Sequence, residues 1–188
     1  MEIGRLVIAL TVGNHFPYDK PRDQQITAIE EGLKCLSKDD KRFFVLEAGT
    51  GVGKSAIGLT MASLLSLRLN SCEEFLPGSY TLTTQKILQR QYVSDFHRQP
   101  HYMLDLKSSS NYTCGFHSNM SCGESLRTLR AADKSGAFFR HCTGKCVYKK
   151  AKQDFIAGKH GVTNFAYFMA ETSFAGKLVP RDVLIIDE

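Results

Sequence analysis

The sequence predicts an α/β domain whose mainly parallel sheet is covered by helices on both faces. Three observations carry this. Short apolar runs alternate with stretches of helical periodicity along most of the chain. Val183–Ile186 (VLII) lies between polar flanks and is too short for a helix, so it reads as a buried strand. Lys41–Ala48 (KRFFVLEA) runs straight into a Gly-rich turn and then into helix-forming residues. The bulk composition agrees: 188 residues, 43% hydrophobic and 23% charged, suffice for one ordinary core and a small insertion.

Element by element, the apolar stretch Leu6–Val12 reads as a strand. It has no basic leader and no small-residue cleavage site, so it is not taken for a signal peptide, and a cytoplasmic or nucleoid-associated setting is expected. Asp23 can cap a helix whose apolar residues Ile26, Ile29, Leu33 and Leu36 recur at spacings of three and four. Lys41–Ala48 is a strand and Ser55–Asn70 a helix with Ile57, Met61, Leu64 and Leu65 on its apolar positions. Tyr80–Thr84 is a second strand, followed by a helix with Leu88, Tyr92 and Phe96 on one face. Gly161–Asn164 and Val183–Ile186 complete the strands. Between Lys107 and Lys145 the alternation fails, and Ser, Asn, Gly, Cys and basic residues dominate. That composition describes an insertion held together by something other than an apolar core. No apolar run is long enough to span a membrane.

The charge is unevenly placed. The net charge is +5, but Lys107–His160 holds ten Lys or Arg against three Asp or Glu, and the remainder is slightly acidic. A segment of this kind attracts phosphate backbone, or is simply a solvated face.

The loop Ala48-Gly49-Thr50-Gly51-Val52-Gly53-Lys54-Ser55 departs from the strict phosphate-loop pattern only by Ala at its first position. Its glycines let the backbone turn sharply and aim successive N–H groups at phosphate oxygens. Lys54 would reach the terminal phosphates, and the Ser55 hydroxyl would help to hold Mg²⁺. The chain ends on Asp187-Glu188 after its last strand. Asp187 would bind Mg²⁺ through its water shell, and Glu188 would polarise the attacking water. Four of the six cysteines, Cys114, Cys122, Cys142 and Cys146, fall in the basic segment with spacing C-x7-C-x19-C-x3-C. Clustered thiols in a reducing compartment read as an iron–sulfur site, as structural zinc (with His117 and His141 nearby), or as core thiols without a ligand.

The order of these motifs resembles the iron–sulfur helicases of the XPD and DinG type, in helicase superfamily 2. Phe16-Pro17-Tyr18 with Pro21-Arg22-Asp23-Gln24-Gln25 resembles their adenine-reading stretch, and Glu47–Ser55 their first ATPase motif, in which an initial Ala is common. Thr83–Gln89 is similar to their segment touching the single strand. Ser110–Cys114 resembles the stretch with the first cluster ligand, and Cys142 with Cys146-Val147-Tyr148 the closing ligands. Val162–Phe165 resembles the strand after them, and Asp187-Glu188 the start of the DEAH box. The likeness covers the chain from about Phe16 onward.

That resemblance implies a RecA-like motor domain over 1–106, resumed over 151–188, with a cluster-bearing insertion over 107–150. It implies an ATP-dependent DNA helicase, of 5′-to-3′ polarity, that moves on single-stranded or fork DNA. ATP and Mg²⁺ would be held by Arg22, Gln25 (on the adenine edge), Gly49, Thr50, Gly51, Gly53, Lys54, Ser55, Asp187 and Glu188. A 4Fe-4S cluster would sit on Cys114, Cys122, Cys142 and Cys146. Thr84, Gln85, Lys86, Lys149 and Asn164 would contact the nucleic acid. The family's second RecA-like domain, with its arginine finger, is not among these residues, so binding without rapid turnover is expected. The alternatives are a P-loop protein of another class with structural zinc, or a nucleic-acid-binding fragment without catalysis.

Overall fold

The computed structural model describes residues 11–37, 41–68, 75–98, 100–175 and 178–187. Four strands form an all-parallel sheet: β1 (Leu76–Thr83), β2 (Leu104–Leu106), β3 (His160–Asn164) and β4 (Arg181–Ile186), in the spatial order β2-β3-β1-β4. The helices are α1 (Asp23–Ser37), α2 (Lys54–Arg68), α3 (Lys86–Phe96), α4 (Cys122–Thr128), α5 (Ala137–Gly144), α6 (Val147–Ala157) and α7 (Phe165–Ala170). A further helical turn covers 11–15. The α/β class expected from the alternation of elements is what the chain adopts.

Side-chain parity divides the sheet into two faces. Ser79, Thr81 and Thr83 of β1 share a face with Val162 of β3 and Ile185 of β4, given the register Thr81↔Val162 and Thr81↔Ile185. Here Leu59 of α2 and Tyr92 and Phe96 of α3 pack with Met103, Val162 and Ile185. Tyr80 points the other way, into a cluster with Phe155 of α6, Tyr167 of α7 and Leu106 of β2. Tyr80 and Phe155 stack with centroids 5.6 Å apart. Removing a side chain of this size from water contributes roughly 2–3 kcal/mol. A third cluster lies outside the first face, where α1 (Ile29, Leu33) and Val12 and Phe16 pack on α2 (Ile57, Met61, Leu64, Leu65).

Two strand expectations are corrected. Lys41–Ala48 is extended and alternates, with Phe44, Leu46 and Ala48 half-buried between exposed Phe43, Val45 and Glu47, but among the described residues it joins no ladder. Its apolar face leans on the α1–α2 cluster, and burial of Phe44 and Leu46 rather than strand pairing holds it. Of the Leu6–Val12 strand, Thr11 and Val12 are helical, and Val12 is wholly buried on the α1–α2 cluster. The rest of it lies outside the described residues. The sequence reading also passed over β2, whose three residues are too few to show an alternation.

Gly78 makes the start of β1 possible. Its φ of +117° belongs to glycine, and a Cβ there would stand 1.8 Å from the Lys159 carbonyl oxygen. The β1–β4 register shifts at this point, between Leu76 and Ser79. The Gly78 N–H is not lost, since it donates to Ser66 Oγ (2.9 Å) and Asp182 Oδ2 (3.3 Å).

Around the Cys-rich segment, α4 and α5 replace the alternating pattern. Helix α4 begins with a full capping box: Glu124 N–H donates to Ser121 Oγ (3.2 Å), and Ser121 N–H donates to Glu124 Oε2 (2.8 Å). Helix α6 then returns to the sheet, where Tyr148 and Tyr167 share a hydrogen bond of 2.8 Å and Lys152 pairs with Glu171. Among the described residues no helix is long and apolar enough to cross a membrane.

Candidate functional site

The Gly-rich loop joins the extended segment 41–48 to the N-terminus of α2. Two of its glycines use the left-handed region, Gly51 at φ +78° and Gly53 at φ +86°. A Cβ on Gly53 would also come within 2.6 Å of Gln25 Nε2, so this position needs glycine for both backbone and space. Gly49 needs neither. The Lys54 ammonium donates to the carbonyls of Ala48 (2.9 Å) and Gly49 (3.2 Å), holding the loop closed on itself. An arriving phosphate would exchange two neutral acceptors for charged ones, which form the stronger bonds.

Gln25, expected on the adenine edge, lies between the start of α1 and the Gly-rich loop. It is the third residue after Arg22 and its side chain reaches back to the start of α1, where Oε1 accepts the Arg22 N–H (2.9 Å). Its Nε2 donates to the Val52 carbonyl in the loop (2.8 Å). Buried at 6% exposure, Gln25 ties the first helix to the phosphate loop and keeps a single amide hydrogen free for any further partner. Arg22 itself is exposed.

Asp187 meets the loop from the far end of the chain. Its N–H donates to the Leu82 carbonyl (2.9 Å), which extends the β1–β4 ladder by one bond and fixes where the side chain starts. The Ser55 hydroxyl donates to Asp187 Oδ2 (3.2 Å), across 132 positions of sequence. The Tyr92 hydroxyl donates to the same oxygen. Burial, with the Asp187 carboxylate next, raises the Tyr92 pKa far above the ordinary phenol value, so this hydroxyl keeps its proton. Sequence reading placed Tyr92 on an apolar helix face and missed this contact. Glu188 lies outside the described residues.

Of the residues expected on nucleic acid, Thr84, Gln85 and Lys86 follow β1 and Asn164 ends β3, at the carboxyl edge of the sheet, where open parallel sheets bind ligands. Thr84 and Gln85 are exposed between β1 and α3. Lys86 Nζ donates to Asn111 Oδ1 (2.7 Å), which joins this segment to the Cys-rich one. Asn164 caps α7, accepting the Tyr167 N–H (2.7 Å) on one lone pair of its side-chain oxygen. Lys149 is half-buried on α6. The basic excess is smaller in effect than in count, because Lys107 pairs with Asp105, Lys150 with Asp154 and Lys152 with Glu171.

Cys114, Cys122, Cys142 and Cys146 are all free thiols, all at most 7% exposed, and line one cavity with Ser125, Leu126 and His141. The topology brings them together from four places: a loop, the first turn of α4, helix α5 and the residue before α6. Short backbone bonds hold the pieces in register, Cys114 N–H to the Met120 carbonyl (2.9 Å) and Cys122 N–H to the Tyr112 carbonyl (2.7 Å). Cys114 Sγ accepts the N–H groups of His117 (3.3 Å) and Phe116 (3.4 Å). Burial opposes ionisation of this thiol, but those N–H groups and the Ser125 hydroxyl outweigh it and lower its pKa. Burial raises the pKa of Cys122 and of Cys142, and neighbouring cysteines of the set raise both further. Burial and the neighbouring thiols thus oppose ionisation of Cys122 and Cys142, an opposition that a bound cation would relieve. Among the described residues no three His, Cys, Asp or Glu side chains converge as chelators of a single ion.

No protein-family model matches the chain, and no curated protein matches it either.

Proposed function

We propose that this chain is the nucleotide-binding motor half of an ATP-dependent DNA helicase of the iron–sulfur kind, with a RecA-like fold and single-stranded DNA as its track. The observation that carries the proposal is the Ser55–Asp187 hydrogen bond. It unites a loop with two left-handed glycines and a carboxylate at the end of a parallel strand, the two halves of a Mg²⁺-nucleotide site. Lys54 and the loop N–H groups would hold the phosphates of ATP, while Ser55 and Asp187 would hold Mg²⁺. Bound there, the ion would neutralise charge on the phosphate oxygens. Glu188, next in sequence, would orient the attacking water.

The cysteine set supports the second part. Cys114, Cys122, Cys142 and Cys146 would hold a 4Fe-4S cluster, cross-linking a segment with little apolar core of its own. Thr84, Gln85, Lys86 and Lys149 would border the strand, and the Lys86–Asn111 bond would keep that border next to the cluster. A second RecA-like domain would close the site. Its arginine finger would be worth about 10³–10⁵ in rate.

Lys54→Ala is expected to weaken binding of a fluorescent ATP analogue about a hundredfold. Unchanged affinity would remove the loop from the site. Cys146→Ser is expected to cost the anaerobically purified protein its iron and sulfide and to open 107–150 to protease, with nucleotide affinity retained. Stoichiometric zinc without iron in the parent protein would replace the cluster by a structural zinc site.

A further inference from the structure

We infer that Tyr92 is a positioning residue for the Mg²⁺ site, holding the Asp187 carboxylate by one oxygen so that the other faces the metal. The inference rests on the nucleotide-site proposal above and adds a residue that the phosphate-loop pattern does not contain.

Asp187 follows β4, an edge strand that pairs with β1 alone among the described residues. Beyond its backbone bond to Leu82, only side-chain contacts can set the direction of its carboxylate. Two hydroxyls do so, Ser55 Oγ and Tyr92 Oη, and both donate to Oδ2. No described protein donor is recorded on Oδ1, which is left for the water shell of an ion.

The two donors are not equivalent. Ser55 would itself turn towards the metal, so its bond to Asp187 must adjust when the ion arrives. Tyr92 has no such freedom. It is 3% exposed, its ring packs against Phe96 with centroids 5.6 Å apart, and Leu59, Met103 and Val162 complete its surroundings. A phenol has two side-chain torsions, and close packing on the sheet fixes both. The hydroxyl is therefore a rigid anchor, the kind of support that keeps a metal ligand in place. A hydrogen bond to a carboxylate is also stronger than a neutral one.

The test is a Mg²⁺ titration of the binding of a fluorescent ATP analogue. Tyr92→Phe is expected to leave affinity in EDTA at the parent level. It should raise the Mg²⁺ concentration for half-maximal tightening about tenfold, as loss of one charge-assisted hydrogen bond would. Asp187→Asn should abolish most of the Mg²⁺ effect and make Tyr92→Phe silent in that background. A parent-like Mg²⁺ profile for Tyr92→Phe overturns the inference even if the variant melts earlier, since a purely structural tyrosine would behave that way. Undiminished action of Tyr92→Phe in the Asp187→Asn background overturns it too. Tyr92→Leu, which also removes the donor, serves if the phenyl variant loses its fold. A parent protein that binds no nucleotide with or without Mg²⁺ defeats the nucleotide-site proposal instead.

Discussion

Arg181→Met lowers the unfolding free energy by about 3 kcal/mol, read as a fall in the urea midpoint at unchanged slope. Arg181 opens β4 at 7% exposure and pairs with no carboxylate among the described residues. Its guanidinium is solvated by backbone. Nη1 donates to the carbonyls of Pro77 (2.9 Å) and Lys159 (3.1 Å), and Nη2 to those of Ile156 (2.8 Å), Phe155 (3.4 Å) and Gly158. Three of these carbonyls end α6, where the helix dipole already favours a cation. The charge also lies 4.8 Å from the centre of the Tyr80 ring. Methionine keeps the stem and removes every donor, leaving carbonyls that cost about 1–3 kcal/mol each when buried unpaired. Relief from burying a cation offsets part of that sum, hence the smaller net figure. Lysine should recover only a fraction, because one ammonium cannot reproduce the planar fork. A loss below about 0.5 kcal/mol, the level of an ordinary surface change, would show that the fork is dispensable.

Acid is the second large lever. His101 and His160 are at most 1% exposed and share the Ser63 hydroxyl, which lies 3.2 Å from His101 Nδ1 and 3.2 Å from His160 Nε2. Ser79 Oγ approaches His160 Nδ1 at 2.9 Å. Burial lowers the pKa of His101 to about 4, against the opposing pull of a backbone hydrogen bond at His15. Burial lowers that of His160 to about 3, helped by His101, Lys159 and Arg181. The unfolded values lie near 6.5, so the folded state resists protons that the unfolded state accepts. Stability is complete above pH 6.5 and falls as pH drops through the window towards 4 and 3. Each histidine would withdraw roughly 3 kcal/mol by pH 4. Urea melts between pH 7 and pH 5, above the main carboxylate range, should show uptake of about two protons on unfolding, and His160→Gln should remove about one. A flat profile over that interval would mean that the pair is hydrated and ordinary.

The legible and illegible parts of this protein divide by physical distance along the chain. The Gly-rich turn before α2 was readable because its signal is local, with the glycines, Lys54 and Ser55 within a few residues of each other. The cysteines were readable as a set because four of them crowd into one polar segment, and the fold does bring them together. Helix α1 and strands β1, β3 and β4 declared themselves by periodicity. Lys41–Ala48 shows the limit of a local signal: the apolar run is extended, but pairing depends on a neighbour that the run itself cannot name. Tyr92 looked like core because its acceptor lies 95 residues away. Arg181, beside a proline at the start of a strand, looked like surface, and the carbonyls it serves carry no side-chain signature. His101 and His160 gave no sign until the fold set them on one serine.

The outer margin of β4 has a practical meaning for anyone handling this protein. Its backbone has no strand beside it among the described residues, and Leu184 and Ile186 on it are 48% and 66% exposed. Phe43 and Val45, on the unladdered stretch, are 84% and 88% exposed. Folded proteins shield such margins with charge, proline or a covering element. Among the described residues this margin is apolar and uncovered, which would favour association between copies. Dilution and a mild non-ionic detergent, rather than cold, are what would keep the preparation clear.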